Sequence, residues 1–197
     1  LNDRLARGVP GADERDLLSA TELALDGRGP VVNRGPLEFR EVRDIEAPVE
    51  EVARMNLPAR SIIIVENLET GLALPDFEGA VAFMRLGHAV SELARIPWLR
   101  PDHLAGSVGQ GSPPRMIYWG VLDTHGFAIL SRARGIFSRL QSILMDEATF
   151  SRGQSLWVTE LKPNRAEVLR YLTPSEMDVY AGLRSNRWGV SLRLEQE

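Results

Sequence analysis

Two apolar runs of buried-strand length each stop at a carboxylate. The first is Ser61-Ile62-Ile63-Ile64-Val65-Glu66-Asn67. The second is Met116-Ile117-Tyr118-Trp119-Gly120-Val121-Leu122-Asp123, which runs on into Thr124-His125-Gly126. Helical sequence lies between and after them. A strand that is β-branched and apolar on both faces suits a parallel sheet covered by helices on either side, and strand–helix–strand order is the mark of such a sheet. Adjacent parallel strands end on the same edge, where open α/β sheets bind their ligands. Glu66 and Asp123 are therefore expected to converge although they are far apart in sequence. Paired acids at such an edge suit a divalent cation and phosphate chemistry.

The rest of the composition narrows the class. At 197 residues the chain can build one core, or one core with a small appendage. It has no cysteine, which rules out disulfides and thiolate metal sites and fits a reducing, cytoplasmic setting. No apolar run approaches the roughly 20 residues needed to span a bilayer. The chain begins at Leu1, so a fragment of something longer is expected. A net charge of −4 argues against broad non-specific nucleic-acid binding by this piece alone. Lys162 is the only lysine among 23 basic residues. Arginine favours bidentate contacts to phosphate and carboxylate, although base-composition bias in the genome is the plainer reading.

Along the chain, residues 1–57 read as an N-terminal extension, 58–150 as the core, and 151–197 as a helical C-terminal extension. Within the extension a helix is expected to stop near Gly27, with breakers at Gly29-Pro30 and Gly35-Pro36. A half-exposed strand is expected over 37–42, and a short helix from Val49 to Met55 behind Pro48. In the core, further strands are expected at 79–84 and 140–144. One helix is expected over 87–96, with Ala89, Val90, Leu93 and Ala94 on one face. Another is capped by Thr124 and carries a Phe127, Leu130, Ala133 stripe. Residues 100–114 read as a Gly/Pro/Ser-rich loop. Pro174 marks a later helix start.

Glu-Asn after an apolar strand, then Trp-Gly-x-Leu-Asp-Thr-His-Gly, then Leu-Met-Asp-Glu, then Leu-Glu-Gln-Glu form a specific combination. Over residues 58–197 it resembles the C-terminal Toprim domain of the JetD/MksG nuclease subunit of Wadjet-type SMC plasmid-defence systems, relatives of the topoisomerase VI A subunit. The resemblance implies an α/β, Rossmann-like Toprim fold with a four-stranded parallel sheet between helices. It implies an Mg²⁺- or Mn²⁺-dependent endonuclease that cuts double-stranded plasmid DNA as a homodimer, alongside SMC–kleisin partners. Glu66 matches the Toprim glutamate and Asp123 the second acid of an Asp-x-Asp motif. Both are expected as catalytic and metal-ligating residues, with Glu66 also handling proton transfer.

One departure matters. Val121 stands where the family carries the first acid of Asp-x-Asp, and valine cannot ligate a metal. Asp146 is the expected substitute ligand, with Glu147, Glu195 and Glu197 as further candidates. Val121 also leaves open a second reading, in which the chain is a catalytically impaired Toprim module that recruits DNA or SMC partners. It removes the nucleophile that a haloacid-dehalogenase phosphatase would need. Arg85 replaces an expected small residue after the second core strand, where an arginine could contact phosphate or neutralise the acidic edge. His125 could contact phosphate or orient a carboxylate, whereas His88 and His103 read as solvated. Asp123 and Asp146 both have a plainer reading as helix caps.

Overall fold

Ile62 and Ile64 turn to one side of their strand, Ile63 and Val65 to the other, and both sides are covered. The computed structural model describes residues 30–33, 45–55, 57, 59–75, 77–99 and 114–195. In chain order its elements are β1 (Pro30–Asn33), β2 (Ile45–Glu46), α1 (Val49–Met55), β3 (Ser61–Val65), α2 (Leu68–Ala73) and β4 (Ala80–Met84). A 3-10 helix (Gly87–Arg95) follows, then β5 (Arg115–Trp119), α3 (Thr124–Ile136), β6 (Gln141–Ser142) and α4 (Glu147–Arg152). The last elements are β7 (Trp157–Thr159), α5 (Pro174–Arg184) and β8 (Leu192–Leu194).

Six strands form one sheet in the order β2-β1-β4-β3-β5-β6. Its four-stranded heart, β4-β3-β5-β6, is parallel throughout. On one face Ile62, Ile64, Val81, Phe83, Met116 and Tyr118 enter the main core. On the other, Val65, Ala82 and Met84 form a smaller cluster with Ile63, Leu68 and Leu74, the last two from α2 and its end. Full burial of each large aliphatic side chain contributes about 1.5–3 kcal/mol, so the all-apolar strands fix the sheet between two layers. This is the expected α/β architecture, consistent with the Rossmann-like Toprim fold.

The topology also sets where a site can form. From β3 the chain crosses through α2 to β4 on one side. It then returns to β5 on the other side, with the 3-10 helix and α3 packed together over the opposite face. The strand order therefore reverses between β3 and β5, the kind of switch point where open α/β sheets leave a crevice at their carboxyl edge.

Several sequence expectations shift in detail. The helix over 87–96 is wound as a 3-10 helix, and its buried side chains are Val90, Leu93 and Ile96. Their spacing of three follows the 3-10 period, which explains why Ala89 and Ala94 do not share the buried face. Asp123, not Thr124, caps α3, while Phe127, Leu130 and Ala133 form its buried stripe as expected. β6 is shorter than the 140–144 run because Leu144, at φ 58°, turns the chain out of the strand direction. α1 matches the expected Val49–Met55 helix, with Glu50 and Glu51 in its first turn. α5 starts at Pro174 behind a reciprocal capping box of Thr173 and Glu176.

The tail is less helical than expected, since β7 and β8 make an antiparallel ribbon. β1, read from sequence only as a breaker, pairs antiparallel with β4 and β2. Proline is tolerated at its position as the first residue of a strand. Two strands on residues 30–46 thus extend the core sheet. The expected helix before Gly27, the strand over 37–42 and most of the 100–114 loop lie outside the described residues.

Candidate carboxylate site at the switch point

Glu66 is the residue immediately after β3, and its N–H bonds to the carbonyl of Trp119 at the end of β5. Its own carboxylate Oε2 accepts the backbone N–H of Val121 at 2.6 Å. The two strand ends are thereby stitched together by main chain and side chain. This close approach needs glycine on the β5 side, because a Cβ on Gly120 would come within 2.4 Å of Glu66 Oε2 and 2.6 Å of Tyr118 Oη. Tyr118 is fully buried and its hydroxyl donates to the Gly126 carbonyl at 3.0 Å.

Asp123 follows β5 after a short turn and caps α3, accepting the Gly126 N–H through Oδ1 at 2.6 Å. It is 6 % exposed. An acid placed before this helix as its cap necessarily stands at the carboxyl edge of β5.

Both acids are held far above their ordinary proton affinity. Burial pushes Glu66 from 4.5 to about 8; the Val121 N–H opposes this, and the charges of Asp123 and Glu195 add to it. Burial likewise raises Asp123 from 3.8 to about 6; the Gly126 N–H, His125 and Arg193 oppose the rise, and Glu160 adds to it. Two desolvated carboxylates that repel one another form a donor set that a hard cation would relieve. Gly120 leaves the space that the Glu66 carboxylate occupies. The residues present therefore fit one divalent cation on Glu66 and Asp123.

Asp146 does not join them. It caps α4, with Oδ1 accepting the Thr149 N–H at 2.7 Å, and it is exposed. Glu147, in the first turn of α4, is likewise exposed. Among the described residues, no three Asp, Glu, His or Cys side chains are grouped to hold a metal ion. Glu197 lies outside the described residues.

Glu195 is placed differently. Leu122 and Leu194 exchange backbone hydrogen bonds at 3.0 and 3.1 Å, which fastens the C-terminal strand against the turn between Val121 and Asp123. Leu194 is buried, and its neighbours Arg193 and Glu195 pair with each other at 2.6 Å. The charge of Glu195 reaches Glu66 and that of Arg193 reaches Asp123.

Two participants escaped sequence reasoning. Glu160, 4 % exposed, accepts the Thr124 hydroxyl at 2.5 Å and so anchors the start of α3. Arg193 sits on β8, and the alternation Leu192-Arg193-Leu194-Glu195 was the available signal for that strand. Arg85, at φ 57°, donates its backbone N–H to the Val65 carbonyl beside Glu66, with its side chain exposed. That left-handed backbone is why a small residue is natural there. His125 Nε2 lies 2.6 Å from the Lys162 carbonyl.

Fold and site together define a Rossmann-like α/β protein with a carboxylate pair at its topological switch point. The family model of the C-terminal part of the Wadjet protein JetD matches residues 24–197, and the chain belongs to that family. The match reaches well before residue 58, in keeping with β1 and β2 belonging to the core sheet. No curated protein matches the chain. Among the described residues no helix is long and apolar enough to cross a membrane.

Proposed function

We propose that the chain is the catalytic part of a metal-dependent endonuclease of the Toprim type. In this reading it hydrolyses the phosphodiester backbone of double-stranded plasmid DNA in the cytoplasm, as a homodimer acting with SMC–kleisin partners. The observation that carries this reading is the pair of half-buried Glu66 and buried Asp123 at the switch point, in a chain of the JetD C-terminal family. When bound, Mg²⁺ or Mn²⁺ on these two carboxylates supplies Lewis-acid stabilisation of charge on the scissile phosphate and its leaving oxygen.

The chain's own groups do the rest. The Val121 N–H and the packing of Tyr118 hold Glu66 in place. In this reading Glu66, or a water that it positions, accepts the proton. The α3 cap fixes Asp123. Glu195, released from Arg193, is the acid we assign to supplement the pair where Val121 offers no carboxylate. No described tyrosine is disposed as a nucleophile toward the acids. Tyr118 is buried and bonded, and the Tyr180 hydroxyl donates to the Ala166 carbonyl at 2.6 Å. Tyr171 is exposed, with its ring against Gly135 near the far end of α3. Hydrolysis therefore fits better than transesterification.

A plasmid-nicking assay with Mn²⁺ tests the proposal. Glu66→Ala and Asp123→Ala should abolish cutting while the protein still folds; undiminished cutting by either variant would remove that residue from the site.

A further inference from the structure

Two imidazoles and a guanidinium gather where the 3-10 helix packs against α3. His88 lies in the 3-10 helix, His125 and Arg132 lie in α3, and the two elements pack together. The His88 and His125 rings meet edge-on with centroids 6.0 Å apart. Arg132 Nη1 donates to the His88 carbonyl at 3.3 Å. His125 is held from a third side by the Lys162 carbonyl. His88 and Arg132 are both exposed.

Among the described residues no carboxylate forms an ion pair with Arg132 or His88. Partial burial, Arg132 and His125 all push the His88 pKa down, with no acid opposing them. The lowered pKa keeps the His88 imidazole neutral near pH 7, so the positive charge of the group is that of Arg132, which attracts an anion while the imidazole offers an N–H. His125, in the first turn of the helix that Asp123 caps, links the group to the acid edge.

From this geometry we infer that His88 and Arg132, backed by His125, form a seat for a backbone phosphodiester of duplex DNA flanking the one held at the acid pair. The inference rests on the proposed function and deepens it. The guanidinium suits phosphate oxygens through paired N–H donors, and imidazole adds a further N–H. A phosphate held here fixes the register of the duplex without reading its sequence. The acid pair alone would repel the backbone that it must cut. A neighbouring cationic seat offsets that repulsion and explains how a chain of net charge −4 can engage DNA at this edge.

The test is binding of a short fluorescent DNA duplex to the full chain in EDTA, where cleavage is off, across a NaCl series. Arg132→Ala and His88→Ala should each weaken binding by about 5–10-fold, and Arg132→Ala should flatten the slope of log K against log [NaCl] by about 1. Arg132→Lys should keep most of the slope. Arg139→Ala, an exposed cation beyond the other end of α3, should bind like the parent. Equal losses in Arg139→Ala and Arg132→Ala would overturn the seat, as would unchanged affinity and slope in Arg132→Ala and His88→Ala while melting temperatures match. If the parent fails to bind duplex both in EDTA and with Ca²⁺ in its place, the seat and the nuclease reading fall together. If the parent binds and cuts but the variants bind normally, the seat alone falls.

Discussion

The backbone N–H of Val121 donates to Oε2 of Glu66 at 2.6 Å, so the residue that lacks an acidic side chain still grips the neighbouring acid through its main chain. The contact between the strand ends is made by the main chain of position 121, not by its side chain. Val121→Asp should keep the fold and add a carboxylate beside Glu66 and Asp123. We expect Mn²⁺ affinity to rise about tenfold or more and plasmid cutting to rise with it. Parallel titration and cleavage assays of the two forms check this. Equal cutting by both would mean that another acid already fills the role, and Glu195→Gln is then the variant to measure.

Stability should respond to pH with a sign set by the raised acids. Glu66 rises from 4.5 to about 8 and Asp123 from 3.8 to about 6. Between those values the folded chain holds protons that the unfolded chain has released, so stability falls as pH rises from about 4 to about 8. Below the unfolded values both states are protonated and the two groups contribute nothing. Glu66→Gln should flatten the decline. Mg²⁺ should raise the melting temperature more at pH 8 than at pH 6. Thermal melts over pH 5–9 measure both; a parent that becomes more stable across this range relative to Glu66→Gln would contradict the burial account.

Asp123 carries two roles that substitution can separate. Asparagine is as good a helix cap as aspartate, whereas alanine forfeits about 1 kcal/mol at this position. Asp123→Asn should therefore fold as stably as the parent, or better at pH 8, yet bind cation poorly. Asp123→Ala should lose both. Urea denaturation beside metal titration resolves the pair, and full metal binding by Asp123→Asn would show that the charge is not needed.

The core of this arrangement was readable because it depends on local pattern. The Ile62-Ile63-Ile64-Val65 run declares a doubly covered strand by itself, and the acid after each strand declares the edge. What stayed hidden depends on partners distant in sequence. Glu160 reads as one more surface acid until its contact with Thr124 is seen. Pro30 reads as a breaker, although as the first residue of β1 it gives up no essential ladder bond. Asp146 matched a site residue by type and neighbourhood, yet it is exposed and caps α4 through the Thr149 N–H, whereas Asp123 is buried.

A second distant contact governs stability away from the site. Arg134 in α3 makes paired bonds to Glu176 in α5 at 2.5 and 2.8 Å, and Ser142 of β6 adds its hydroxyl to the same carboxylate. Burial pushes Glu176 up, but Arg134, Ser142 and the Thr173 N–H outweigh it and hold the group at about 2. Its stabilising effect is thus present above about 4.5 and lost as pH falls toward 2. Glu176→Gln should cost about 3 kcal/mol by leaving Arg134 without a counter-charge, measurable by urea denaturation at pH 7. A loss below about 0.5 kcal/mol, typical of an exposed pair, would refute the buried lock.

The most direct test of the site is calorimetric titration of Mn²⁺ into the folded chain at pH 8, comparing the parent with Glu66→Gln and Asp123→Asn. One cation per chain in the parent, lost in both variants while each still melts cooperatively, is the predicted result. Undiminished binding in either variant would contradict the assignment of the switch-point pair as the cation site.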